Sequence, residues 1–355
     1  MNLILYGPPG TGKTYRVIER AVNVIDPGLE GDHGTLKLRF DELLHQGRIE
    51  FITFHQSYSY EDFVEGIRPV MNSDDGDKTP RYECRPGVFK QLAVNAIFDC
   101  LEGAAMPKQL VFAEKEKAEI VKAFLDQGET SGYQMKPKSQ WNRYVLVIDE
   151  INRGNISKIL GELITLIETD KRLQKENGLI LTLPYSGDKF AVPANLHLLA
   201  TMNTADKSIA LVDVALRRRF DFEELGVDLI ICKELTPEML SALLELNRRI
   251  ALRKDRDHQV GHAYFVDVSD QQGFNERFRK RVIPLLQEYF YNDWGGLRYV
   301  LGENNSNSDR GFIRKVSGSD DPEARTKWQW FFDADNADLD CLQTLRGNYA
   351  TVRAA

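Results

Sequence analysis

Apolar and polar positions fall into blocks that read as strands alternating with helices up to about residue 233, and as helices alone beyond it. Leu3, Ile4, Leu5 and Tyr6 form a short apolar run, the pattern of a buried strand. Tyr15 to Val24 carries Val17, Ile18, Ala21 and Val22 at helical spacing. Residues 25–48 open with Gly and Asp and then turn helix-like, and Ile49 to Phe54 is a second short strand. The aromatic and polar stretch from Phe54 to Phe63 predicts a loop entering a helix. Glu65 to Arg68 runs into Pro69, and the Asp/Gly/Lys/Pro-rich residues 72–81 predict an exposed hairpin or loop. Val88, Leu92, Ile97 and Leu101 mark a helical face.

Residues 105–143 are polar, with a charged helix-like run from Glu114 to Leu125 and a loop-like tail from Gly128 to Lys138; they read as an insertion. Tyr144 to Ile148 is nearly all apolar, as a central parallel strand covered on both faces must be. After it, Ile156, Ile159, Leu160, Leu163, Ile164 and Ile167 predict one amphipathic helix. A hairpin is expected across Ser186-Gly187-Asp188, then a buried strand from Leu196 to Thr201 and a last strand from Arg219 to Glu223.

From about residue 234 only helices are expected. Thr236-Pro237-Glu238 is a helix start, with Thr as N-cap and Pro at the first helical position. A second helix spans about Phe274 to Tyr291, with Phe278, Ile283, Leu286, Tyr289 and Phe290 inward. Residues 302–325 read as loop, and Trp328, Trp330, Phe331 and Phe332 as anchors of a terminal segment. The expected division is an α/β domain over 1–230, a helical lid over 231–300 and an extension over 301–355.

Composition narrows the class. The chain has 355 residues, 42% hydrophobic and 28% charged, which suits a globular protein of two or three domains. Its net charge of −7 argues against nucleic acid as the main partner of this chain alone. The four cysteines, Cys84, Cys100, Cys232 and Cys341, are far apart with no C-x-x-C pair, so free thiols in a reducing cytoplasm are expected. No apolar stretch is long enough to cross a bilayer, and the first residues lack a signal-peptide layout.

The chemistry starts at Gly7-Pro8-Pro9-Gly10-Thr11-Gly12-Lys13-Thr14, which fits G-x-x-x-x-G-K-[ST] between a strand and a helix. Glycines let backbone N–H groups curl around a polyphosphate, and the helix N-terminus adds partial positive charge. Lys13 then reaches the β- and γ-phosphates and Thr14 offers its hydroxyl to Mg2+, with Tyr15 following at the edge of the nucleotide site. Asp149 and Glu150 end the most strand-like segment, where Asp149 can hold Mg2+ and Glu150 can polarise the attacking water. Asn203 ends the next strand and can hydrogen-bond the γ-phosphate or that water. Arg217, Arg218 and Arg219 point in different directions, so one of them is the candidate finger for a neighbouring subunit's nucleotide. His258 and His262 are four apart but have no third ligand nearby; an alternative to a metal site is that His262 sits near the nucleotide from the lid.

Together these residues resemble the NTPase subunit of McrBC-type modification-dependent restriction systems, an AAA+ family. Residues 7–14 match its Walker A, Phe54 to Phe63 a stretch associated with that family, and Ile148-Asp149-Glu150-Ile151-Asn152-Arg153 its Walker B. Met202 to Asp206 match its sensor 1, Ala215 to Phe220 its arginine-finger segment, and Gly261 to Phe265 and Pro284 to Phe290 its lid. The resemblance covers about residues 2–294. It implies an AAA+ P-loop fold with a parallel sheet of order 5-1-4-3-2 sandwiched by helices and followed by a helical lid.

It also implies a homo-oligomeric ring, hexameric by that resemblance, that hydrolyses GTP with Mg2+ and drives a separate McrC-like nuclease subunit. Nuclease activity is expected in that partner, not in this chain. By position, Asn203 becomes sensor 1 supported by Asp206, Arg218 the finger acting in trans, and Asn152 and Arg153 neighbours of the subunit interface. No membrane partner is implied. DNA is expected to be reached through the partner or through an N-terminal domain that this sequence lacks. Residues 105–143 exceed the family pattern, and the tail after about 300 has no counterpart in it. No Asn-Lys-x-Asp motif independently marks guanine, so ATP stays open beside GTP. An ATP-driven protein remodeller and a nucleotide-gated scaffold are the rival readings.

Overall fold

The computed structural model describes residues 1–70, 81–107, 111–206, 214–303, 312–316, 327–330 and 340–353. Five strands form the central sheet: β1 (Asn2–Gly7), β2 (Ile49–Thr53), β3 (Tyr144–Asp149), β4 (Leu196–Asn203) and β5 (Asp221–Glu224). Their order is β5-β1-β4-β3-β2, the 5-1-4-3-2 arrangement anticipated above. The sheet is parallel, with Leu3 opposite Asp221, Leu198 opposite Leu146 and Phe51 opposite Val147. Parallel strands buried on both faces must be apolar almost throughout, and Val145, Leu146 and Val147 are fully buried.

Two compact units make up the chain: Met1–Tyr6 with Lys13–Glu224, and Gly7–Gly12 with Leu225–Ala355. In the first, helices α1 (Lys13–Ile25), α2 (His33–His45), α3 (Val88–Asp99) and α4 (Glu114–Gln127) accompany the sheet. α2 begins where the Asp32 carboxylate accepts the Thr35 N–H at 2.9 Å, satisfying one orphan donor of the first turn. The core joins Ile4, Phe63, Phe89, Leu146 and Leu198.

Two local readings change. The single helix expected over 156–167 is an α-helix of five residues, Ile156–Leu160, followed by a 3-10 turn, Gly161–Ile164. Gly161 has φ +52°, a conformation that other residues adopt reluctantly, and it stops the α-helix. The loop-like tail after Gly128 contains a short strand, Gln134–Met135, paired with Leu101–Glu102. The hairpin turning at Ser186-Gly187-Asp188 is present, with Leu181 opposite Phe190. Residues 65–70 and 81–86 form a second antiparallel pair. Most of the loop anticipated over 72–81 lies outside the described residues, as does most of the run from Ser208 to Leu216.

The second unit is dominated by helices. α5 (Pro237–Arg253) starts as anticipated, the Thr236 hydroxyl accepting the Met239 N–H at 3.4 Å with Pro at the first turn. The helix expected over 274–291 runs as Gln271–Arg277, one π-helical turn at Phe278–Val282, and Ile283–Tyr289. The expectation of helices alone is corrected by an antiparallel pair, Ile313–Val316 with Lys327–Trp330, inside a stretch partly read as loop. Local alternation over four residues is too short to distinguish such a strand from loop. Phe331 and Phe332 lie outside the described residues. Phe312, Leu345 and Tyr349 join the same core as Phe274 and Leu286. No helix among the described residues is long and apolar enough to cross a membrane.

Candidate active site

Three strands of the sheet end in candidate residues. β1 ends at Gly7, β3 at Asp149 and β4 at Asn203. Side chains beyond the carboxyl ends of parallel strands converge there because every strand runs the same way.

The loop after β1 requires its glycines. Gly10 has φ +76° and Gly12 φ +72°, both in the left-handed region. A Cβ on Gly10 would come within 2.7 Å of the Tyr264 ring, so the position is sterically closed as well. The Gly10 carbonyl accepts the Ala263 N–H at 2.9 Å, and the Thr11 hydroxyl donates to the Pro8 carbonyl at 2.9 Å. His262 is buried in the same unit. Its Nδ1 accepts the Asp228 N–H at 3.2 Å, which assigns the proton of the neutral ring to Nε2. Nε2 stands 3.5 Å from where a Gly12 Cβ would be. Burial holds the ring's pKa below the usual histidine range, against a smaller opposing pull from Asp228.

In the first unit, Lys13 opens α1 and is buried. Burial lowers its pKa to about 8, although the nearby carboxylates of Glu150 and Asp149 pull the other way. Thr14 and Tyr15 follow on exposed positions of the first turn. Tyr15 stacks on His33 with ring centroids 3.5 Å apart.

Asp149 and Glu150 are held from β4. Thr201 lies buried next to them, since Ala200 pairs with Ile148 in the sheet register. The Thr201 hydroxyl donates to Asp149 Oδ1 at 2.5 Å and accepts the Glu150 backbone N–H at 3.0 Å. Glu150 has φ +54°, an uncommon left-handed conformation for a residue other than glycine. The Asn203 side-chain amide donates to Glu150 Oε1. The buried Glu150 Oε2 accepts no hydrogen bond, and Arg153 Nε lies 3.7 Å from it. Burial raises the Glu150 pKa, Asp149 adds to the shift, and Arg153 and Lys13 oppose it.

Arg153 Nε is also 3.9 Å from Asp206 Oδ2, so this half-exposed guanidinium stands between two carboxylates. Asn152 is buried and its side-chain amide donates to the Asn203 carbonyl at 3.1 Å.

The three arginines differ in exposure, although two of them reach one carboxylate. Arg219 is buried and lies 2.6 Å from Glu168 Oε1. Arg218 reaches the same oxygen at 3.0 Å with 68% of its side chain exposed. Arg217 is exposed, its guanidinium 5.9 Å from the Phe222 ring centre. His258 pairs with Asp255 at 2.5 Å and faces the Tyr289 ring.

The sequence placed Thr201 only as the last residue of a buried strand, with no role at the site. The available signal was its spacing: residues two apart on a strand share a face, and Asn203 had already been singled out.

These residues suit a nucleoside triphosphate with a divalent cation. The glycine loop holds a left-handed backbone at Gly10 and Gly12, a buried lysine stands beside two carboxylates, and one oxygen of Glu150 lacks a hydrogen bond. Among the described residues, no three His, Cys, Asp or Glu side chains converge as a protein-only metal site.

Comparison with known families agrees with that chemistry. Residues 28–220, over half of the chain, match the AAA domain of the dynein-related subfamily. The chain belongs to the AAA family of nucleoside triphosphatases. Within that class it is McrB-like: residues 238–298 match the α-helical lid domain of McrB. It is 30% identical over 313 residues to the type IV methyl-directed restriction enzyme EcoKMcrB subunit of Escherichia coli (strain K12), across 82% of this chain and 54% of that protein. It is 25% identical over 248 residues to YdiS, a component of the type II restriction enzyme BsuMI of Bacillus subtilis (strain 168), across 64% of this chain and 57% of that protein. The chain spans about half the length of these curated relatives.

Proposed function

We propose that this chain is the GTP-hydrolysing motor of a restriction system, working as a homo-oligomeric ring, hexameric by family resemblance, that drives an McrC-like nuclease subunit against modified foreign DNA. The observation that carries the catalytic part is the corner where Lys13, Asp149, Glu150 and Asn203 meet. The restriction part rests on two relatives that are both components of restriction enzymes.

In this reading the backbone of Gly7 to Gly12 cradles the triphosphate, with Pro8, Pro9 and Thr11 shaping the loop and Lys13 neutralising the terminal phosphates. Thr14 and Asp149 hold Mg2+, which neutralises charge on the phosphate oxygens when bound. Glu150 orients the attacking water and Asn203 holds Glu150 and the γ-phosphate edge, with Asp206 steadying this corner through Arg153. Arg218, exposed and lightly held, is the finger for a neighbouring protomer's nucleotide, while buried Arg219 serves its own chain. The Nε2–H of His262 donates to phosphate from the lid, and Tyr15 borders the nucleotide. The domain reading is a catalytic domain over 1–230, a lid over 231–300 and an extension over 301–355.

Purified chain should hydrolyse GTP well above ATP, and native mass measurement should show rings with a non-hydrolysable GTP analogue. Co-expression with the nuclease partner should raise turnover. A strong ATP preference, or turnover absent even with the partner, would overturn this reading.

A further inference from the structure

The buried hydroxyl of Thr201 does two things at once. It accepts the N–H of Glu150, whose backbone is left-handed, and it donates to the carboxylate of Asp149. Both acids belong to the end of β3, while Thr201 belongs to β4. One oxygen atom therefore ties the carboxylate of one acid and the backbone of the other to the neighbouring strand.

A glutamate at φ +54° is strained, and such a conformation persists only where surrounding bonds over-determine it. Thr201 supplies one of those bonds from the backbone side, and the Asn203 amide supplies another at Oε1. The donated bond also orients Asp149. A carboxylate anchored through Oδ1 has its rotation restricted, and Oδ2 becomes the oxygen available to a cation.

We propose that Thr201 is a positioning residue for hydrolysis: it sets the carboxylate of Asp149 toward the divalent cation and holds the backbone turn that aims Glu150 at the water. This deepens the reading of the site given above and rests on it. Thr201 touches neither cation nor nucleotide in this account, so its removal should leave cation-free nucleotide binding intact.

The test compares Thr201→Val, Thr201→Ser and Asp149→Asn in the full-length chain, each checked by thermal melting. Thr201→Val keeps the shape but can neither donate nor accept. Mn2+ affinity, measured by electron paramagnetic resonance with a non-hydrolysable GTP analogue, should weaken roughly tenfold in Thr201→Val, and turnover should fall roughly 10- to 100-fold. Thr201→Ser should restore both to within about threefold. Binding of a fluorescent nucleotide in EDTA should not change. Should Thr201→Val fail to fold, Thr201→Ala carries the same expectation, with Thr201→Ser again the rescue.

Unchanged Mn2+ affinity and turnover in the folded hydroxyl-less variant would overturn the proposal. Failure of Thr201→Ser to rescue would overturn it too, because a packing role would then account for the loss. If Asp149→Asn itself leaves Mn2+ affinity unchanged, the underlying assignment of Asp149 fails, a result distinct from an effect of Asp149→Asn with none at Thr201.

Discussion

Two glutamates of the first unit, one fully buried and one partly buried, have opposite chemistry. Glu65 has no exposed surface, yet its carboxylate accepts the backbone N–H groups of Tyr185 and Ser186 at 3.0 Å each and pairs with Lys90 at 2.7 Å. Burial works to raise its pKa, but the bonds from Lys90 and Ser186 outweigh it and leave the pKa below the usual glutamate range. Lys90 continues to Asp188, and Asp188 to Lys122, so the charges tie the hairpins at 65–86 and 181–190 to α3 and α4. Glu150 is only partly buried, but its buried Oε2 accepts no hydrogen bond, and its pKa is raised. A structural carboxylate has its charge fully answered by its own chain. The carboxylate proposed for chemistry is left short of partners, at a cost in stability.

Four measurements can break or sharpen that contrast. The largest effect is expected at the structural acid. Glu65→Ala leaves the mostly covered Lys90 ammonium without its closest carboxylate and two N–H groups without an acceptor, so it should cost about 3–5 kcal/mol in denaturant unfolding. A loss under about 1 kcal/mol would show the network to be dispensable. Glu150→Gln should instead reduce turnover by about 100-fold or more while nucleotide binding persists. Turnover close to that of the unsubstituted chain would remove Glu150 from the chemistry.

Lys13 gives a smaller effect with a defined pH window. Its pKa near 8 means that the empty site loses the positive charge as pH rises past that value. Nucleotide affinity should therefore be steady below about pH 7 and roughly tenfold weaker at pH 9. A flat profile, measured with a fluorescent nucleotide, would contradict the burial of this charge.

The smallest effect concerns the sign of the pH dependence of stability. Glu150 has a raised pKa in the folded state, so the fold binds its proton more tightly than the unfolded chain does. Its ionisation costs stability as pH rises through and above the normal glutamate range. Glu65 has a lowered pKa; its contribution is present above that range and is lost as pH falls through its folded value. At pH 8, Glu150→Gln should raise the melting midpoint by roughly 1–2 °C, where Glu65→Gln should lower it. Equal signs for both variants would end the distinction.

Chain order and local chemistry by themselves determined the sheet and its ends. The apolar run at Tyr144 to Ile148 can only be buried on both faces, and the glycines of residues 7–12 announce a backbone that side chains would obstruct. Thr236-Pro237 set the start of α5 because capping and a fixed φ act within one turn. The break at Gly161 was less legible, since the apolar spacing on either side of it still fits a helix. The pairing of Ile313–Val316 with Lys327–Trp330 depends on a partner ten or more residues away, and no local pattern carries that. Only the tertiary structure decided that Thr201 spans Asp149 and Glu150, that Arg219 turns inward while Arg218 faces out, and that Asn152 donates to the Asn203 carbonyl. Strand identity is set by burial along a segment, whereas the use of a polar side chain depends on atoms that only the sheet register brings within hydrogen-bond distance.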